Sequence, residues 1–129
     1  MTLGFSNPDR VEAPYSGVSL DLAQVALESS LNFYLGKHST DGVNSIGLDD
    51  LLIEVGHQGL DESIKNQFDS AIESLNDLGN DLAVEVVENQ PQVEAVYNEV
   101  SKNVVLMKTD MPSILCVAIT YIDNPSDSD

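Results

Sequence analysis

Between residues 60 and 78, Leu60, Ile64, Phe68, Ala71, Ile72, Leu75 and Leu78 recur at short, helix-like steps. A period near 3.6 gathers them on one side of an α-helix but would scatter them over both faces of a strand. A ridge this long must be covered, so the chain needs other apolar ridges to pack against it. Two are present. Leu20, Ala23, Leu27, Leu31 and Tyr34 form one, and Val93, Val96, Tyr97, Val100, Val104, Met107, Met111 and Ile114 form the other. The predicted fold is all-α: an up-and-down helical bundle of about four helices, with an irregular N-terminal lead and an extended C-terminal tail. Its core is expected on the 60–78 and 93–115 helices.

Turn chemistry sets the expected boundaries. Ser19 is a good N-cap for the first helix, and Gly36 is placed to end it. "KHSTDGVNSIG" reads as a polar loop. A short helix follows between Gly47 and Gly56, with Asp49 and Asp50 suited to its positive N-terminal end. Gly79 and Asn80 interrupt the long helix. "DLAVEVVEN" reads as a short helix, although its valines leave a strand open over 83–87; paired with 117–122, that would make an α+β fold. Pro91 fits the first turn of the last long helix. Pro112 predicts a kink there, or a fresh start capped by Thr109 or Asp110. The chain thus divides into an irregular lead (1–18), a helical bundle (19–116) and an extended acidic tail (117–129).

The 129 residues suit one domain. Twenty-two carboxylates against five Lys and Arg give a formal net charge of -17. Phosphate backbones and anionic membranes would be repelled, so no nucleic-acid partner is expected, while cations and cationic ligands are favoured. No stretch approaches the roughly 20 apolar residues of a transmembrane segment. The opening "MTLGFSNPDR" has neither a basic nor an apolar region of a secretion signal, so none is expected in these residues. Cys116, in the apolar run "ILCVAI", is expected to be a buried, inert thiol.

Few residues propose chemistry by themselves. His57 has Glu54 three residues before it and Asp61 four after. On one continuous helix the three would share a face and could hold a metal. Gly56 and Gly59 flank His57, so a helix junction is the leading expectation. Asp61, Lys65, Asp69, Glu73, Asp77 and Asp81 recur every four residues and read as a solvent face, with weak attraction for cations or iron as the alternative. The tail "DNPSDSD" alternates oxygen ligands, but it lacks the glycine turn and closing Glu of an EF-hand loop.

Two segments carry a family resemblance. "VEAPYSGVSLDL" resembles a Glu-x-Pro-x-Ser-x-x-Ser-Leu pattern of the imelysin-like family, also classed as an insulin-cleaving peptidase family; Glu12, Pro14, Ser16, Ser19 and Leu20 match it. "KTDMPSILCVAITYIDNPSDSD" resembles the family's closing stretch through Asp110, Pro112, Ser113, Leu115, Val117, Ile119, Thr120, Asp123 and Asn124. Cys116 stands where that stretch has glycine, Pro125 breaks its acidic motif, and the motif's own glycine is missing. The resemblance covers nearly the whole chain but only the second, C-terminal half of the family's domain.

Family members look like two related helical bundles side by side, with a Gly-x-His-x-x-Glu signature at the seam, carried by the first. "GKHSTD", from Gly36 to Asp41, imitates the signature with Asp for Glu, but in a loop rather than a helix. The resemblance therefore implies a binding or scaffold module similar to bacterial envelope lipoproteins linked to iron uptake, in the periplasm or at the outer membrane. It would supply one wall of a ligand or metal site facing the N-terminal bundle. Glu12, Ser16, Ser19, Asp110, Asp123 and Asn124 are the expected wall residues, and iron or another divalent metal is the implied cofactor of the full-length protein. Two alternatives stand beside it: a metal-dependent peptidase active only with the missing half, and a bundle that self-associates through its uncovered apolar face.

Overall fold

The computed structural model describes residues 18–37, 44–79 and 81–117. Among them every regular element is helical. The order is α1 (Ser19–Tyr34), α2 (Leu48–Glu54), α3 (Gln58–Asn76), α4 (Leu82–Glu88), α5 (Gln90–Val105), a π-helical segment (Leu106–Asp110) and α6 (Met111–Leu115). An isolated antiparallel bridge joins Lys37 to Asn44.

α3 is the central helix. It packs against α1, α2, α5 and the π segment. Two clusters form the core. Leu20, Leu75, Leu78, Val93 and Val96 fill one end, where α1 begins, α3 finishes and α5 begins. Tyr34, Leu52, Ile64, Phe68 and Met111 fill the other. These pairings make α1, α3 and α5 run up, down and up, as the three ridges predict. The α5 ridge differs in detail. Its buried seam runs through Val93, Val96 and Asn103, while Tyr97 and Val104 face solvent. At about 100° per residue, Asn103 lies on that seam and Val104 beyond its edge.

Glycine ends two helices in the expected way. Gly36 takes φ +62, its N–H bonds the Phe33 carbonyl at 3.2 Å and the Lys37 N–H bonds the Asn32 carbonyl at 2.8 Å. Gly56 repeats the pattern after α2, with φ +83 and His57 bonding Leu52 at 2.8 Å. Both are the left-handed cap that glycine adopts without a Cβ penalty. The third such cap is Cys116, at φ 53. It is exposed, which corrects the buried thiol expected from its neighbours: α6 ends at Leu115, the last residue of the run packed on the core, and Cys116 is the cap beyond it.

Two other expectations change, at Ser19 and before Pro112, while the short helix expected over "DLAVEVVEN" is present. Ser19 is the first residue of α1 rather than its cap, and Val18 occupies the cap position. Residues 83–87 are helix, not strand, because the Asp81 carboxylate accepts from the Ala83 N–H at 2.9 Å and starts α4. Neither Thr109 nor Asp110 caps a new helix before Pro112. The chain instead widens into the π segment and continues, which accommodates the N–H that Pro112 lacks. The extended tail expected over 117–129, and the strand that the α+β alternative would need over 117–122, lie outside the described residues beyond residue 117.

Candidate functional site

The most polar part of the interior lies where α1 ends and α2 and α3 begin. The Schellman turn at Gly36 and the following loop bring the start of α2 against the end of α1. This crossing is backbone on backbone. A Cβ on Gly36 would strike the Ser45 carbonyl and come 2.7 Å from the Gly47 nitrogen. A Cβ on Gly47 would come 2.6 Å from the Tyr34 carbonyl oxygen. Ser45 ties the loop down, donating to the Gly36 carbonyl from its N–H at 2.9 Å and its hydroxyl at 2.8 Å. The Gly47 N–H donates to Asp50 Oδ2 at 3.0 Å and fixes the first turn of α2.

That turn delivers Asp49. Asp61 comes from the first turn of α3, where a helix N-terminus favours negative charge. It is 3% exposed, and Tyr34 is fully buried beside it. The Tyr34 hydroxyl donates to Asp61 Oδ1 at 2.8 Å, and the Lys65 ammonium donates to Asp61 Oδ2 at 2.9 Å. Lys65 also reaches Asp49 Oδ2 at 3.1 Å. Asp49 Oδ1 is buried without a hydrogen-bond partner. Tyr34, Asp49, Asp61 and Lys65 thus form one knot joining three helices.

Electrostatics follow from this geometry. Burial pushes the Tyr34 phenol far above its ordinary range; its hydrogen bond to Asp61 and the charges of Asp61 and Asp49 push the same way. For Lys65, burial alone would lower the pKa, but the hydrogen bonds to Asp61 and Asp49 outweigh it and hold it above the ordinary lysine value. Tyr34 is therefore a fixed donor and Lys65 a fixed cation. Both Asp61 oxygens accept a hydrogen bond. A second polar contact joins α3 to α5. Gln67 Nε2 donates to the Glu99 carbonyl at 3.0 Å and its carboxylate at 2.7 Å, and Asn103 Nδ2 donates to the Gln67 carbonyl at 3.2 Å. The bonds from Lys102 and then Gln67 hold the Glu99 carboxyl below its usual range.

The residues expected to form the ligand wall are only partly within view. Glu12, Ser16, Asp123 and Asn124 lie outside the described residues, as does His38 of the signature-like loop. Ser19 is buried at the start of α1, and Asp110 is exposed at the end of the π segment. Their neighbours Leu20 and Met111 belong to opposite core clusters, so the structure sets Ser19 and Asp110 at opposite ends of the bundle. His57 is exposed at the junction before α3, Glu54 closes α2, and Asp61 is buried with Tyr34 and Lys65. Among the described residues no three or more His, Cys, Asp or Glu side chains converge on a metal-sized point.

The four-residue charge stripe needs one correction. Asp61 is not on a solvent face. A step of four residues advances about 400°, so the row drifts by roughly 40° per member around the helix. It starts in the core at Asp61 and reaches solvent by Asp69, Glu73 and Asp77. The sequence held a sign of this, since Asp61 lies three residues before Ile64 and seven before Phe68, on the same ridge.

A central helix with partners on either side, two apolar core clusters and a Tyr34–Asp61–Lys65 knot at one end define an all-α bundle. The chain belongs to the imelysin family: the family's model, described as Imelysin and classed as a peptidase, matches residues 1–107. The closing stretch from residue 108 lies beyond that match. No curated protein and no solved structure matches the chain.

Proposed function

We propose that this chain acts as a binding or scaffold module, the C-terminal bundle of an imelysin-type envelope protein linked to iron uptake. It supplies one wall of a ligand or metal site whose other wall is a bundle carrying the Gly-x-His-x-x-Glu signature. The observation that carries this reading is the closed Tyr34–Asp61–Lys65–Asp49 knot. The buried Asp61 carboxylate serves as a joint between helices. Asp110 is exposed and available as a wall residue. Glu12, Ser16, Asp123 and Asn124 complete the proposed wall. Ser19, buried at the other end of the bundle from Asp110, does not share that wall.

The family's classification keeps a peptidase reading beside this one, with activity arising only when both bundles are joined. The test is calorimetric titration of ferric and zinc ions into this chain alone and into the chain joined to a signature-bearing bundle. Tight binding is expected only in the joined protein, and it should weaken at least tenfold with Asp110→Asn. Equally tight binding by the isolated chain would refute the wall reading. Chelator-sensitive insulin cleavage by the isolated chain would refute it too.

A further inference from the structure

Helix α2 is short and thinly covered. In it and at its end, Leu48, Leu51, Leu52, Ile53 and Val55 are apolar, yet only Leu52 is fully buried. Leu51 and Val55, one turn apart, are 43% and 47% exposed. The helix packs chiefly on α3. A helix this short does not hold without tertiary contacts, and one that is apolar over most of its surface needs cover on more than one side. At about 100° per residue, Leu51 lies roughly 160° around from Asp49, which is tied to Lys65. Leu48 and Leu52 sit between the two, on the core cluster. The flank of Leu51 and Val55 is therefore the one turned away from Lys65.

The point where the chain leaves the described residues says what covers that flank. Ile114 and Leu115, at the end of α6, pack on the same core cluster as Leu48 and Leu52. Gln67 of α3 bonds Glu99 and Asn103 of α5, which sets the level at which these antiparallel helices cross. Counted from that level at about 1.5 Å per residue, Leu115 falls just beyond the start of α3, beside the turn that joins α2 to it. Val117 donates its N–H to the Pro112 carbonyl at 3.1 Å, closing the cap that turns the chain off the α6 axis. Ala118, Ile119, Thr120, Tyr121 and Ile122 come next and carry no charge, and a polar stretch begins at Asp123. Five residues reach at most about 16–18 Å, against about 10 Å for the length of α2.

We propose that residues 118–122 of this chain lie across the Leu51 and Val55 flank of α2 and clamp that helix to the bundle. Attachment at Val117 presents them to the flank at an effective concentration of order millimolar, which a free partner or a second copy would have to exceed. The contact takes two apolar surfaces out of water together. An uncharged, β-branched run left bare would instead be prone to pair with other chains. The inference concerns the closure of the bundle itself and is independent of the wall reading.

Cysteine pairs in a Cys116→Ser background test the placement in the full chain. Val55→Cys with Ile119→Cys should close an intrachain disulfide under mild oxidation at least tenfold faster than Val87→Cys with Ile119→Cys, because Val87 lies on α4, which packs on the opposite core cluster. Equal rates would overturn the proposal. A Val55→Cys/Ile119→Cys product that is a cross-linked dimer would assign the flank to a second copy and overturn it too. Hydrogen exchange read by mass spectrometry gives a second check. Ile119→Gln/Tyr121→Gln/Ile122→Gln should speed exchange over residues 48–55 tenfold or more and leave residues 93–100 unchanged. Exchange in α2 as slow as in the unaltered chain would also sink the idea. A variant that loses protection in both segments has unfolded, and the cysteine pairs then decide alone.

Discussion

Replacing Asp61 by alanine tests the joint between α1, α2 and α3. The side chain is 3% exposed and accepts from Tyr34 and Lys65. Removing one partner of a buried ion pair costs about 3–5 kcal/mol. The lower end applies here, because the Lys65 side chain is 35% exposed and keeps Asp49. The Tyr34 hydroxyl, fully buried, loses its acceptor and adds about 1 kcal/mol. The expected loss is about 3–4 kcal/mol, against a total stability of about 5–15 kcal/mol for a domain. At roughly 4 °C per kcal/mol for this size, the melting temperature should fall by about 12–16 °C. Urea unfolding followed by circular dichroism measures the same loss. The reasoning makes a second demand. Tyr34→Phe/Asp61→Leu removes donor and acceptor together, so it should cost about 1–2 kcal/mol less than the sum of the two single changes. An Asp61→Ala cost below about 1 kcal/mol, or strict additivity in the pair, would refute the account of the knot.

The knot also predicts the direction of alkaline unfolding. Tyr34 and Lys65 both have folded pKa values above their ordinary 10.0 and 10.5. Their contribution is complete below those values and is lost as pH rises beyond them, because the unfolded chain releases the protons first. Thermal melts between pH 8 and 12 should show stability falling above about pH 10, with a shallower slope in Tyr34→Phe. Cys116→Gly should stabilise by about 0.5–1 kcal/mol, since glycine relieves the left-handed cap, and Cys116→Ala should not. Maleimide should label Cys116 in the native protein; protection until denaturant is added would contradict its exposure. Gly36→Ala should destabilise by more than Gly56→Ala: both have positive φ, but only Gly36 has backbone where the new methyl would go. Asp81→Ala should cost about 1 kcal/mol through loss of the α4 cap, read by chemical denaturation.

The bundle was legible in the sequence because its ridges keep one period over long helices. Leu20, Ile64, Phe68, Leu75, Val93 and Val96 are all buried where the helical spacing puts them. Glycine and proline punctuation was legible too, since Gly36 and Gly56 cap by a local rule that needs no partner. The polar knot was not. Tyr34 and Asp61 are 27 residues apart, and Asp61 also belongs to a plausible surface stripe of charges. Only the close crossing at Gly36 and Gly47, a contact between loop and helix end, brings Asp49 and Tyr34 together at Asp61 and Lys65 of α3. Tyr97 and Val104 were misplaced for a related reason: hydrophobicity favoured them as core, whereas the α5 seam passes through a polar residue, Asn103.

The widened turn at residues 106–110 has a consequence for chain length. A loop closed by i→i+5 bonds accommodates about one residue more than an ordinary helical turn, so everything downstream is set back by about 100°. Met111 and Pro112, both buried, therefore sit where an uninterrupted helix would place residues 110 and 111. The protein carries a spare residue there. Excising exposed Lys108 or Thr109 together with Pro112→Ala should leave a straight rod whose end still meets Tyr34 and Phe68, whereas the same excision near Val96 would throw half of α5 out of phase.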